Sequence, residues 1–576
     1  MDRKTDLTTT RSLSVAIIGS GGSGVVTTGK ILLESIARFG LYALMARSSG
    51  PQIRGGESAI MLRVADRPVD NLDDQFDILL VLDWLNVDRF ADEIPLSAET
   101  IILCDRDKGD IPPAFNLSPN RQLTSPLEQQ AKELENGRAN MVGLGLLAQL
   151  MGLPRETVAA ATRDTLKRKG EHIVNASLQC IEQGYRQAPA QPLLEPLSVP
   201  KMPTTRWNIS GNEASGLGAL QGGVRFVAAY PITPASELLE WLAPNLERLG
   251  GELVQAEDEL ASVNMIIGAS FGGVPALTAT SGPGLSLMME GLGLAVASET
   301  PIVVSNVMRG GPSTGIPTKS EQSDLNLALY GLHGDAPHLV LGALSIRDNV
   351  FTTEWAVKLA ETLQAVAIVL TDQSQGQSRA VIDPPRSTPL EGKRKRATDA
   401  THYHRYAVTD DGVSPMAVPG DADCMYTADG LEHDPAGTPS STATEHQRQL
   451  DKRRDKLTTF DYGDDWADIT GEGEICLITW GSASAATQEA AARLTRDGHP
   501  TRTVAVRLLS PLPTAAFKAA IANAHQLLVV EQNHSGQFYD YLNARKVLPH
   551  STGSFAQAGP LPIRPQAIVN RIMQGL

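Results

Sequence analysis

Residues 227–237 read Val-Ala-Ala-Tyr-Pro-Ile-Thr-Pro-Ala-Ser-Glu, an apolar strand that runs into a turn where Pro231 and Pro234 bracket a threonine. Each proline fixes its own φ at about −65° and turns the residue before it away from helix. Thr233 is therefore held by stiff backbone where a strand gives way to a helix. In open α/β sheets, ligands bind at the carboxyl ends of strands. Taken alone, the stretch reads equally as a capped strand-to-helix turn whose hydroxyl satisfies local backbone. The segments around it decide between the two.

On both sides of this turn, short apolar runs alternate with helical periodicity. Strands over 13–18, 77–82 and 101–104 and helices over 25–39 and 140–151 make a first domain, 12–190. The proline-rich stretch 187–205 is a linker. A second domain, 206–385, has strands at 226–229, 276–279, 302–305 and 366–370. Residues 386–470, rich in Pro, Asp, Gly and Thr and carrying Lys393-Arg-Lys-Arg396, read as an extended, solvated connector. A third domain, 474–576, has strands at 475–480, 503–507 and 527–531 and a helix over 485–496. The expected fold is α/β, with three parallel-sheet domains joined by linkers.

Composition narrows the function. A chain of 576 residues is too long for one core. Its net charge of −15 argues against nucleic acid or an anionic membrane as partner. No apolar run is long enough to span a bilayer, and the N-terminus lacks a secretory core, so a cytoplasmic protein is expected. Cys104, Cys180, Cys424 and Cys476 are scattered without a CxxC pair, which excludes a disulfide framework, a zinc site or an iron–sulfur cluster held by this chain alone. His402 and His404 have no accompanying ligand cluster, so no metal site is expected.

Gly19-Ser-Gly-Gly-Ser-Gly24 follows a strand and opens a helix, the context in which GxGxxG binds a pyrophosphate. A dinucleotide site also needs an acid at the end of the second strand, and 42–46 leads instead into Arg47-Ser-Ser. Gly24-Val-Val-Thr-Thr-Gly-Lys30-Ile31 approaches a phosphate loop, but Ile31 stands where a magnesium-binding hydroxyl is needed. A phosphorylated adenosine such as coenzyme A fits Gly21, Gly22, Arg47 and Arg54 better. Tight strand–helix packing would explain the glycines equally well.

Three features follow Thr233. Glu257-Asp-Glu259 opens an apolar helix; such acids commonly complement the helix dipole, and three in a row leave one free to face inward. Thr278-Ala-Thr-Ser-Gly-Pro-Gly284 ends a strand with glycines that allow close approach. Arg309 leaves a strand into Gly-Gly-Pro-Ser-Thr-Gly315-Ile-Pro-Thr318, presenting a fork suited to a carboxylate.

In order and spacing, Tyr230-Pro-Ile-Thr-Pro, Glu257-Asp-Glu-Leu-Ala, Thr280-Ser-Gly-Pro-Gly and Arg309-Gly-Gly-Pro-Ser-Thr-Gly resemble the pyrimidine-binding domain of the 2-oxoacid:ferredoxin oxidoreductases, which are thiamine diphosphate enzymes. Residues 474–576, with Trp480-Gly-Ser and Val529-Val-Glu531, resemble the family's transketolase-C-like domain. Residues 12–190, with Gly21-Gly-Ser-Gly and Gly50-Pro-Gln-Ile-Arg-Gly-Gly56, resemble its γ domain. This fusion order is similar to the α subunit of the 2-oxoglutarate-specific branch, a 2-oxoglutarate synthase of carbon metabolism and the reductive TCA cycle. The resemblance implies that Glu259 is catalytic, protonating N1′ of the thiamine pyrimidine, and that Pro231 lines that ring. It implies that Thr233, Arg309 and the further candidate Thr318 bind the 2-oxoacid. It implies coenzyme A as acyl acceptor and ferredoxin as electron acceptor. No Gly-Asp-Gly metal motif occurs here; Gly334-Asp-Ala336 fails at its third position. The resemblance thus assigns Mg2+, the diphosphate grip and a [4Fe-4S] cluster to a β subunit, in an (αβ)2 complex. Two alternatives stay open: the same reaction on pyruvate or another 2-oxoacid, and a non-catalytic nucleotide- or acyl-CoA-binding scaffold. A stand-alone transketolase or decarboxylase is disfavoured by the missing Gly-Asp-Gly.

Overall fold

The computed structural model describes residues 12–49, 56–105, 107–115, 121–189, 193–194, 197, 206–385, 390, 392–398, 400–401 and 403–575. They form two compact units, one of the described residues up to Ser210 with 378–384 and 564–567, the other of the remaining described residues.

The first unit is built on an eight-stranded sheet. Its strands, in spatial order, are Gln122–Ser125, Leu96–Asp105, Phe76–Val81, Ser12–Gly19, Ser58–Ala65, Tyr42–Ser49, Arg379–Ile382 and Trp207–Ser210. The first four run parallel; the others join antiparallel neighbours. Strands buried on both faces read as continuous apolar runs, which is why Leu13–Ile18 and Ile78–Leu82 carry no alternation. The helix Val25–Phe39 packs Ile31, Leu32 and Ile36 into the core with Val15, Leu80 and Leu103. Arg564 returns to this unit late in the chain, donating to the carbonyls of Asp73 and of Glu93, the latter at 2.9 Å.

The second unit holds two sheets. The larger has the order Leu508–Ser510, Leu339–Gly342, Val366–Asp372, Ile302–Met308, Ala276–Thr280, Phe226–Ala229, Glu252–Gln255. All neighbours are parallel except Leu508–Ser510. The smaller has the order Ala467–Thr470, Thr501–Val506, Ile475–Trp480, Gln526–Glu531, Gly553–Ala556, parallel except for its first strand. The three-sheet α/β architecture expected from sequence is therefore present, with antiparallel strands added to each sheet.

Within the larger sheet, the chain goes from Phe226–Ala229 outward to Glu252–Gln255, then returns to the other side of its starting strand with Ala276–Thr280. In doubly wound sheets such a reversal marks the ligand-binding crevice, at the carboxyl ends of the two adjacent strands Phe226–Ala229 and Ala276–Thr280. Tyr230–Pro234 and Thr280–Gly284 are the segments that leave those two strands.

The 386–470 stretch departs from a solvated connector. It contains the helix Ala443–Thr458. Its basic run is built into the fold: the Arg394 guanidinium is buried against Glu361 at 2.8 Å, and also donates to Ser270 Oγ at 3.1 Å. Lys395 pairs with Asp411 at 3.0 Å and Arg396 with Asp421 at 2.7 Å. Each partner is distant in sequence; Lys393, Lys395 and Arg396 stay exposed as a solvated run would, and the Arg394 side chain alone is buried.

Candidate active site

The turn after Phe226–Ala229 is closed by Ala235 and Ser236, whose amides donate to Ile232 O at 2.8 and 3.1 Å. Beneath it, Asn212 Nδ2 donates to Pro234 O at 2.9 Å. Pro234 and Ala235 are buried, while Tyr230, Pro231 and Thr233 remain exposed at the crevice.

Arg309 follows the fully buried strand Ile302–Met308 and is itself only 6% exposed. Its Nη1 donates to the Thr233 carbonyl at 2.6 Å, so the structure brings these two candidates together. Its buried Nε has no hydrogen-bond partner among the described residues. A buried guanidinium nitrogen with nothing to donate to is a vacant position for an acceptor, and a carboxylate satisfies it. Burial lowers the arginine's pKa and Asp324 opposes that shift; with so high an intrinsic pKa the group stays charged.

Asp324 carries none of the sequence signals and is the residue that sequence reasoning missed. Burial raises its pKa, while Asn306 Nδ2 at 2.9 Å and Ser323 act to lower it. Ser323 Oγ also donates to Arg309 O at 3.0 Å.

After the strand Glu252–Gln255, the helix Glu259–Phe271 starts two residues later than a helix opened by Glu257 would. Asp258 is the N-cap, accepting from Ala261 N at 2.7 Å, and Glu257 lies exposed before it. Glu259 is the buried acid of the three, at 6% exposure. Its carboxylate rests on Gly284, where a Cβ would stand 2.5 Å from Oε1 and 2.1 Å from Thr280 Oγ1. Gly282, two residues earlier, gives way to Asp324 instead: a Cβ there would stand 2.7 Å from Oδ1. Both glycines of Thr280-Ser-Gly-Pro-Gly284 are therefore set by a carboxylate. The two acids, each from another element, lie against the first turn of the helix Gly282–Ala297, where the helix dipole favours negative charge.

Thr318 lies half-buried on the return arm of the exposed loop 311–317. That loop is closed by Ile316 N to Gly310 O at 2.7 Å and Gly310 N to Lys319 O at 3.1 Å. No hydrogen bond joins Thr318 to Thr233, Glu259 or Arg309 among the described residues.

In the first unit, Gly21 and Gly22 are exposed, and Gly22 (φ 88°) has open space where a side chain would stand. Gly24 caps the helix Val25–Phe39 in a left-handed conformation without a side-chain cap. One loop amide is already engaged: Ser20 N and Oγ donate to the Asp83 carboxylate, the hydroxyl at 2.7 Å. The second strand, Tyr42–Ser49, is not the parallel neighbour a dinucleotide fold requires, because the antiparallel Ser58–Ala65 stands between it and Ser12–Gly19. Arg54 lies outside the described residues, as does His402. All four cysteines are buried and free. Among the described residues, no group of three or more His, Cys, Asp or Glu side chains could hold a metal ion, and no helix is long and apolar enough to cross a membrane.

The chain matches two family models, one described as pyruvate flavodoxin/ferredoxin oxidoreductase, thiamine diphosphate-binding, over residues 217–452, and the other as pyruvate ferredoxin/flavodoxin oxidoreductase, over 14–187. The first is the region that holds the crevice. The chain is thus an oxidoreductase polypeptide with a thiamine diphosphate-binding domain. It is 29% identical over 605 residues to a 2-oxoacid:ferredoxin oxidoreductase subunit alpha from Saccharolobus solfataricus, covering 94% of this chain and 93% of that one. A 2-oxoglutarate synthase subunit KorA from Methanothermobacter thermautotrophicus is 34% identical, over 64% of this chain and 99% of its own length. Among solved structures, the 2-oxoglutarate:ferredoxin oxidoreductase from Magnetococcus marinus, with 2-oxoglutarate, coenzyme A and succinyl-CoA bound, superimposes with a TM-score of 0.91 at 35% identity, covering 98% and 99% of the two chains. The chain belongs to the family of 2-oxoacid:ferredoxin oxidoreductase α subunits.

Proposed function

We propose that this chain is the α subunit of a cytoplasmic 2-oxoglutarate:ferredoxin oxidoreductase, interconverting 2-oxoglutarate, coenzyme A and oxidised ferredoxin with succinyl-CoA, CO2 and reduced ferredoxin. The observation that carries the reading is the vacant Arg309 Nε beside Thr233, on the same crevice edge as a buried glutamate. The near-complete superposition on a structure holding 2-oxoglutarate supports the choice of substrate.

Within that reading, Glu259 and Pro231 fit the pyrimidine of thiamine diphosphate. The glutamate is shielded from water, and Gly284 leaves room for it. Thiamine diphosphate, when bound, supplies the carbanion chemistry that lets a 2-oxoacid lose CO2. The chain's own contribution is orientation and proton handling. Glu259 holds the proton shared with N1′ of the ring. Arg309 binds the substrate carboxylate through the edge carrying Nε, and its bond to the Thr233 carbonyl fixes the guanidinium plane. The Thr233 hydroxyl, exposed at the crevice, binds the carboxylate or keto oxygen, and Thr318 is a further contact on the loop. In the first unit, Gly21, Gly22 and Arg54 receive coenzyme A. Mg2+, the diphosphate grip and a [4Fe-4S] cluster are supplied by a β subunit in an (αβ)2 assembly, which passes electrons to ferredoxin.

The test is the co-expressed α–β pair assayed on a panel of 2-oxoacids with coenzyme A and a viologen dye. A kcat/KM highest for 2-oxoglutarate is expected. A clear preference for pyruvate overturns the substrate, and loss of dye reduction with every 2-oxoacid overturns the reaction.

A further inference from the structure

The segment 322–326, which returns from the exposed loop into the helix Leu325–Tyr330, is bonded to the smaller sheet of its unit along most of its length. Gln322 N donates to Gln532 O at 2.8 Å, and Gln322 O accepts from Asn533 Nδ2 at 3.3 Å. Its fully buried side chain donates to Trp480 O at 2.9 Å and accepts from Gln532 N at 2.7 Å. Gln537 then bridges Asp324 with a single amide: Nε2 donates to Ser323 O and Oε1 accepts from Asn326 N, both at 2.9 Å.

The loop that presents Gln537 is built on Glu531. This wholly buried carboxylate accepts from Phe538 N at 2.7 Å, Tyr539 N at 2.9 Å and Asn533 Nδ2 at 2.5 Å, and Asn533 Oδ1 in turn accepts from Gly536 N at 2.8 Å. Burial raises the Glu531 pKa, and the three donors act to lower it. In the other direction, Ser323 holds the Arg309 carbonyl, Asp324 lies against Asn306 and the arginine's charge, and Arg309 reaches Thr233. A run of hydrogen bonds therefore leads from the smaller sheet to the Arg309 carbonyl, and Asp324, held inside that run, acts on the guanidinium through its charge.

We infer that Gln537 is a positioning residue for 2-oxoacid binding. By clamping both sides of Asp324, it fixes the segment that orients Arg309 toward the substrate carboxylate. The inference rests on the reading of Arg309 as the carboxylate's partner. Ser323 and Asn326 are not fully buried, so water can replace the lost amide at little cost to the fold. A misplaced guanidinium, by contrast, costs binding directly, since displacements near 1 Å are worth up to about 10²-fold.

The experiment is a double-mutant cycle on the co-expressed complex with Gln537→Ala, Arg309→Lys and both together, using 2-oxoglutarate as probe. Gln537→Ala should raise KM about tenfold, leave kcat within about threefold and leave the melting temperature nearly unchanged. On the Arg309→Lys background, the same substitution should add little. An unchanged KM in Gln537→Ala, with a raised KM in Arg309→Lys, overturns the inference and leaves the Arg309 reading standing. An unchanged KM in Arg309→Lys overturns that reading, and the inference with it. Equal penalties on both backgrounds reduce Gln537 to a packing role and also overturn it. Should Arg309→Lys turn over too slowly to assay, calorimetric binding of 2-oxoglutarate to the same four proteins supplies the cycle.

Discussion

Glu259 and Asp324 lie against the same helix turn, at Gly284 and Gly282, but differ in what the sequence reveals of them. Glu259 begins a helix within a run of three acids, and the apolar residues after it show which way the helix faces. Asp324 sits in Gln-Ser-Asp-Leu after a loop, with no periodicity to mark it as turned inward. Its trace is indirect, in a glycine 42 positions earlier that must lack a side chain to admit it. Thr233 and Arg309 were legible because proline and glycine punctuate the backbone around them. Their mutual contact was not, because it runs from a side chain to a main-chain carbonyl. Glu259→Gln keeps the shape of the buried group but removes its proton chemistry. It should lower kcat/KM for 2-oxoglutarate-dependent dye reduction by roughly 10²–10⁴-fold. Gel filtration and thermal melting of the complex should be unchanged, and a variant that retains activity removes Glu259 from the mechanism.

The strand-to-helix junction Thr280–Gly284 shows how an element carries a site. Its two glycines were expected to permit close approach, and the structure shows what approaches: Asp324 at the first and Glu259 at the second. Gly284→Ala forces a methyl group to within 2.1 Å of Thr280 Oγ1 and 2.5 Å of Glu259 Oε1, so one of them must move. Overpacking of this kind costs about 1–3 kcal/mol. The expected outcome is a folded complex with weakened thiamine diphosphate saturation, read as a raised half-saturating cofactor concentration, and a lower melting temperature. Gly293, which has open space around its α-carbon, is the control, and Gly293→Ala should do neither. The basic run Lys393–Arg396 teaches the opposite lesson about elements. Composition marked it as solvated, and Lys393, Lys395 and Arg396 are exposed, yet Arg394, Lys395 and Arg396 each find an acid contributed by a distant part of the chain. Charge patterning reports local surroundings only.

At the scale of the molecule, the helix Ala443–Thr458 is bound to the thiamine-binding region by buried charges. Glu299, which is 1% exposed, accepts from Lys452 Nζ at 2.6 Å and Lys456 Nζ at 2.8 Å. Burial pushes its carboxyl up, but Lys452, Lys456 and Arg405 together outweigh burial and hold it well below the usual carboxylate range. Burial likewise pushes Lys452 down to about 8 against the pull of Glu299. Because the folded carboxyl is depressed, its stabilising contribution is complete above the unfolded value of about 4.3 and is lost as pH falls below it. Glu299→Gln, which strands two buried ammonium groups, should cost roughly 3–5 kcal/mol at neutral pH. Its melting temperature should then fall less between pH 5 and 3 than the parent's, as thermal scans at both pH values would show. None of this cluster was legible in the sequence, where Glu299 ends a helix and the lysines lie more than 150 residues away. The three sheets were legible because buried strands announce themselves by composition. Which distant strands complete each sheet was not, since a partner strand of four residues leaves no signal of its own.

That last point bears on the order in which the protein can be made. The first sheet needs Arg379–Ile382 beside Tyr42–Ser49 and Trp207–Ser210 beyond it, and its unit also takes in 564–567. A growing chain emerges from the ribosome N-terminus first, so the earliest unit to be synthesised is among the last to be finished. Until Ile382 arrives, Tyr42–Ser49 presents an open edge ready to pair with any other strand. A fragment spanning 1–189 should therefore self-associate at concentrations where the whole chain does not, and sedimentation of the two side by side would show it. Any attempt to divide this polypeptide at its proline-rich linker would separate a sheet from its own border.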